Sequence, residues 1–188
     1  MKKLVSMLLA AVLALSMIGC GGKKEESAAD TVAVADAVEI LTKTFDGFEA
    51  DYKFPIGGGS YENMTSDVPG AIDPADTESL AGLLQFPVDS ADMVDDAASM
   101  MHMMNLNTFT AGAYHVADAG DQQALADALK DSIMNAQWMC GFPELLLIAT
   151  VNSDYVVAAY GATDLVEHFE TKLVENFGAV VVYDESLM

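Results

Sequence analysis

Two apolar runs near the C-terminus constrain the fold most tightly. ELLLIATV, residues 144–151, and YVVAAYG, residues 155–161, are separated only by Asn152, Ser153 and Asp154. Each run has the length and the β-branched, aromatic character of a strand, and the three residues between them suit a tight reversal, so the pair predicts a β-hairpin. Sequence on both sides extends the pattern. NTFTAGAYHV, Asn107 to Val116, has the Thr, Phe, Tyr and Val content of a strand; Gly120 and Asp121 then lead into a segment whose Leu125, Ala128, Leu129, Ile133 and Ala136 mark one helical face. After the hairpin, Thr163 and Asp164 open a second helix with Leu165, Phe169, Leu173 and Phe177 inward and Gly178 as its stop, and AVVVY follows as a last strand. The order β-α-β-β-α-β over residues 105–188 predicts an α+β fold of ferredoxin-like arrangement: a four-stranded antiparallel sheet with two helices on one face.

Upstream of that unit the pattern is helical or irregular. Val34, Val38, Leu41 and Phe45 follow helical spacing from about Asp30 and end at Gly47, which predicts an amphipathic helix. Residues 49–88 hold four of the five prolines and the triplet Gly57-Gly58-Gly59. No lysine follows the triplet in the position a phosphate-binding loop needs, so it reads as a connecting loop, with a short helix over Glu78 to Leu84. The segment SMMHMM, Ser99 to Met104, poses a sharper choice. Preceded by the acidic turn VDSADMVDD, it reads as the end of a helix from about Ser90, with Met93, Ala97, Met100 and Met104 on one core-filling face and His102 on the other. On a strand, Met100, His102 and Met104 would instead share a face and could approach one soft ion such as copper(I). Residues 30–104 thus form a helical and looped N-terminal part of one domain spanning 30–188.

The first twenty residues point to location. Lys2 and Lys3 precede an apolar run from Leu4 to Ile18 and a small-residue processing point at Gly19, the layout of a secretory signal peptide over residues 1–19. Cys20 follows directly, as in a lipobox, where cleavage leaves the cysteine N-terminal and lipid-modified; Met17 departs from the commoner leucine. Residues 20–29, Gly-rich and then charged, read as a flexible tether. The expected partner is therefore the extracytoplasmic face of a bacterial cell membrane, reached through the lipid. Cys140 is the only other cysteine, which leaves no intramolecular disulfide to expect.

Charge narrows the partners further. The chain has no arginine and eight lysines, two of them before residue 19, against 29 acidic residues. Such a chain is repelled by phosphate backbones and lacks the side chain best suited to grip them, so nucleic acid is excluded as a partner. The acids are scattered rather than set in a metal-loop pattern, and no cofactor is implied.

NLNTFTAGAYH, WMCGFPELLLIATV and YVVAAYGA together resemble a family of small uncharacterised lipoproteins of Gram-positive anaerobes, whose C-terminal module is a domain of unknown function. The resemblance runs from about Asp46 to the C-terminus and implies the same envelope location. It implies no activity and no catalytic residue.

Candidate chemistry is sparse. A cysteine nucleophile at Cys140 would need a base from His102, His115 or His168, and its place at the end of a helix disfavours a thiolate, so the ordinary reading is an inert thiol buried beside Trp138 and Phe142. The histidines show no HExxH spacing. The residues therefore predict a non-catalytic binding or protein-interaction module that engages an extracytoplasmic protein or small ligand, with a Cys140–His enzyme or a Met/His soft-metal protein as the alternative readings.

Overall fold

The computed structural model describes residues 31–139 and 141–188, so the expected signal peptide, the tether, Cys20 and Cys140 lie outside the described residues. Eight strands form one antiparallel sheet: β1 (Ile56–Gly58), β2 (Thr65–Ser66), β3 (Gly70–Ile72), β4 (Val94–His102), β5 (Phe109–Val116), β6 (Leu145–Val151), β7 (Tyr155–Gly161) and β8 (Val180–Ser186). Their order is β2-β1-β4-β5-β7-β6-β8, with β3 also paired to β4. Among the described residues four α-helices accompany them: α1 (Ala37–Asp46), α2 (Thr77–Leu84), α3 (Gln122–Met134) and α4 (Thr163–Phe177). The class is α+β, as expected.

The predicted C-terminal elements all form. β6 and β7 pair from Leu145↔Gly161 to Val151↔Tyr155, and Asn152 takes the left-handed conformation in the turn at φ 52°. Asparagine tolerates that region better than most side chains, which suits it to the reversal. α4 buries Val166, Phe169, Leu173 and Phe177 and stops at Gly178, whose φ of 62° favours a residue without a Cβ.

Their arrangement is not the ferredoxin-like one, and the sheet has twice the expected number of strands. In that arrangement β8 would lie beside β5. Here β4 occupies that side of β5, through seven registered pairs from Val94↔Val116 to Met101↔Thr110, and β8 pairs instead with β6. The helices follow from this. The β5-α3-β6 and β7-α4-β8 crossovers step across the sheet in the same direction from oppositely running strands, and right-handed crossovers of that kind must place their helices on opposite faces. The cores are arranged accordingly. Phe169 and Leu173 of α4 and Ile40 and Leu41 of α1 pack with Phe109 and Met100 on one face. Leu125, Leu129 and Ile133 of α3 and Leu80 of α2 pack with Tyr114 and Ile148 on the other. The sheet is the middle of three layers, not one of two.

The largest departure is β4. The stretch read as a helix from Ser90 to Met104 is a short 3-10 segment, Val88–Met93, followed by the strand. Ala97 and Met101 face one core while Ala98 and Met100 face the other, so burial on both sides removes the period-two signal a half-buried strand would show. Small residues fit where helices approach on both faces; the helix-favouring propensity of Ala and Met is overridden by that packing. The presumed loop also contributes β1, β2 and β3. β1 and β3 lie end to end along β4, so close that a Cβ on Gly58 would stand 2.2 Å from the Gly70 backbone nitrogen. The glycine triplet admits backbone to backbone, and Ser99 locks it by donating to the Gly59 carbonyl at 2.9 Å and accepting from the Gly59 N–H at 2.7 Å.

α1 begins later than the spacing predicted, at Ala37. Asp36 accepts the Glu39 N–H at 2.7 Å, and Glu39 reaches back to the Ala35 N–H at 2.6 Å, a reciprocal cap that fixes the start. Val34 therefore precedes the helix.

Candidate functional site

One end of the sheet gathers the start of β5, the end of β7, the start of β6 and the end of β8, as the pairs Phe109↔Gly161, Leu145↔Gly161 and Leu145↔Ser186 show. The loops there are held by side chains. Asn105 accepts the Asn107 N–H at 3.0 Å and caps a 3-10 turn over Leu106–Thr108. The Asn107 amide then donates to the carbonyls of Met139 and Gly141, both at 2.9 Å, tying the NLNT loop to the WMCGFP loop. Glu144 accepts from the Thr163 N–H at 3.1 Å and hydroxyl at 2.9 Å, anchoring the start of α4 to the same end. Those two bonds hold the Glu144 carboxyl below its ordinary range.

These ordered loops turn large apolar side chains outward. Met104 is 81% exposed, Met139 79%, Phe142 72%, Met188 80% and Leu106 38%. A cleft of about 180 Å³ at this end is lined by Asn105, Asn107, Gly141, Phe142 and Glu144, so of these five side chains Phe142 lines it. Met188 joins them because Leu187 donates its N–H to the Glu144 carbonyl at 2.8 Å. These side chains belong to neither core.

The opposite end of the sheet has the opposite character. The described chain enters there, with the Val32 carbonyl accepting from Asn152 Nδ2 at 3.0 Å. A cleft of about 500 Å³ is lined by Asp36, Asp95, Asp96, Asp154, His115 and Tyr155. Asp96 accepts the Ala37 N–H at 2.7 Å, and His115 Nδ1 lies 2.5 Å from Asp95. Burial, and then the carboxylates of Asp96, Asp154, Asp36 and Asp95, push the Tyr155 hydroxyl up to about 12. A second acidic cleft, about 640 Å³, lies beside the start of α2 among Glu62, Asp73, Asp76 and Glu78.

The sequence-derived candidates do not converge. His102 stacks on Phe54 with centroids 4.9 Å apart, His115 lies in the acidic cleft, and His168 on α4 stacks on Tyr52 at 4.1 Å with Nε2 2.7 Å from Glu49. Three histidines with three separate sets of partners form no cluster. Met100 is fully buried while Met104 lies beyond the strand and in solvent, so the strand conformation does not bring them to one ion. Among the described residues no group of three or more His, Cys, Asp or Glu side chains could hold a metal ion. Phe142, expected in the core, is outside it, whereas Trp138 packs on Tyr160 at 5.2 Å. Residues 104, 139 and 142 gave no sequence signal for exposure, because their apolar character reads as core; the glycine and proline around Phe142 mark a loop and were the available hint.

Comparison of the chain with family models, with curated proteins and with solved structures finds no match. Among the described residues no helix is long and apolar enough to cross a membrane.

Proposed function

We propose that the chain is a lipid-tethered extracytoplasmic interaction module, anchored through Cys20, that engages a protein partner through the apolar loops around Asn107 and performs no catalysis itself. The observation that carries this reading is the placement of those loops. Chain entry at Val32 and Asn152 and the apolar loops beyond Gly161 lie at opposite ends of β7, whose six residue steps span about 20 Å. The signal-like segment, the lipobox-like cysteine and the resemblance to envelope lipoproteins supply the location.

The test combines location and contact. In cell fractions, Cys20→Ala should release the protein from the membrane or leave it unprocessed; retention of a processed, membrane-bound form would reject the anchor. In mildly solubilised membranes the native chain should migrate in a complex larger than itself, and Met139→Asp/Phe142→Asp should return it to monomer size without lowering its melting temperature. A complex indifferent to that double substitution would reject the contact surface.

A further inference from the structure

We infer that the acidic cleft at the chain-entry end of the sheet binds a small linear polyamine. The cleft, about 500 Å³, lies at the opposite end from the apolar loops, so this inference does not rest on the contact surface. What marks it as a site is Tyr155. That side chain is only 5% exposed and lines the cleft, yet its hydroxyl has no hydrogen-bond partner among the described residues. A hydroxyl left unpaired on a largely buried side chain is open to a ligand's N–H. The carboxylates of Asp96, Asp154, Asp36 and Asp95 all raise the pKa of that hydroxyl, which sets it within their field. Asp154 Oδ1 is likewise buried without a partner.

The layout of the charge selects the ligand. Asp36 uses Oδ1 on the Glu39 N–H, Asp96 uses Oδ2 on the Ala37 N–H, and Asp95 meets His115 Nδ1 through Oδ1. An ionised carboxylate accepts up to about four hydrogen bonds, so each keeps room for a ligand's N–H. His115 stands between Asp95 and Asp154, with Nδ1 2.5 Å from one and Nε2 3.7 Å from the other, and holds the two carboxylates apart. Among the described residues no three such groups converge on a single metal ion. Positive charge spread along a chain suits this layout better than a point charge. Separate ammonium groups meet separate carboxylates, and the methylenes between them pass Val34 and the ring of Tyr155, which line the same cleft. A free amino acid would bring another carboxylate to a cleft that already holds four, and is disfavoured.

The experiment is a calorimetric titration of the purified full chain, held in phosphatidylcholine nanodiscs, with putrescine, magnesium ion and L-ornithine at 50 mM salt; titration into empty nanodiscs is subtracted. Putrescine and magnesium carry the same charge, and L-ornithine is putrescine with a carboxylate added. Putrescine should bind one to one and at least tenfold more tightly than either. Tyr155→Phe should weaken it at least fivefold at neutral pH without lowering the melting temperature, since the lost hydroxyl bonds to nothing in the fold. Asp95→Asn/Asp154→Asn should weaken it at least tenfold. Glu62→Gln/Asp73→Asn in the other acidic cleft, Met139→Asp/Phe142→Asp at the apolar end and Lys23→Ala/Lys24→Ala should each leave it unchanged. Absence of putrescine binding, or binding unchanged by Tyr155→Phe or by Asp95→Asn/Asp154→Asn, would overturn the inference. Magnesium or L-ornithine binding as tightly as putrescine would overturn the linear polyamine as the ligand. Putrescine binding tightened tenfold by Lys23→Ala/Lys24→Ala would make the chain's own lysines the occupant and overturn a free one.

Discussion

A double-mutant cycle between α3 and α4 probes the three-layer arrangement. Ile133 and Leu173 are both fully buried, Ile133 with α2 and Tyr114 on one face of the sheet, Leu173 with α1 and Phe109 on the other. Ile133→Val removes one buried methyl group and should cost about 0.5–1.5 kcal/mol; Leu173→Ala removes three carbons and should cost about 2–5 kcal/mol, cavity included. With a sheet between them the two sites share no partner, so the double variant should lose the sum to within about 0.5 kcal/mol. The total leaves the chain measurable, because domains of this kind have stabilities of about 5–15 kcal/mol. Urea titrations followed by circular dichroism, fitted with a common slope, give all four values. Were both helices on one face, as in the ferredoxin-like arrangement, the side chains would share a core, and coupling up to about 3 kcal/mol would be expected. A coupling above 1 kcal/mol refutes the separation of the two cores.

Other expectations follow from single sites. Gly58→Ala forces a Cβ to within 2.2 Å of backbone at Gly70, with no side chain able to yield, and should cost at least about 1–3 kcal/mol in the same urea assay. Met100→Asp places an unpaired charge in the core and should leave the chain unfolded by circular dichroism, whereas His102→Ala, losing a ring stack on Phe54, should cost less than about 2 kcal/mol. Tyr155 ionises near pH 12 in the fold instead of at its ordinary 10, so between those values the unfolded chain releases its proton first; stability falls as pH rises through that window, and Tyr155→Phe should flatten the fall in melts taken at stepped pH.

Legibility in the sequence followed the kind of signal each element carries. α4 and the β6–β7 hairpin were readable because their determinants are local: helical spacing closed by Gly178, and two apolar runs closed by Asn152. β4 was not, because Ala97 to Met101 form a strand only when layers close on both faces, and that burial is set by α1, α2 and α3 from elsewhere in the chain. β8 was recognised, but its neighbour was not, since the choice between β5 and β6 depends on the unrecognised β4. The apolar end was half visible. NLNT and WMCGFP stood out as sequence, yet the Asn107 amide that joins them spans 32 and 34 residues, and no local pattern encodes that bond. The acidic cleft likewise assembles Asp36, Asp96 and Asp154 from three distant segments, so its carboxylates read as scattered surface charge.

The most direct measurement of where partners dock is site-specific photocrosslinking in intact cells, with a photoreactive residue placed in the full chain at Phe142, at Val181 or at Asp95. Phe142 should give one discrete adduct to a protein partner, lost when Met139→Asp is added, while Val181 on the open strand edge and Asp95 in the acidic cleft give none. Adducts at Val181 or Asp95 with none at Phe142 would contradict the account and move the contact surface to that position.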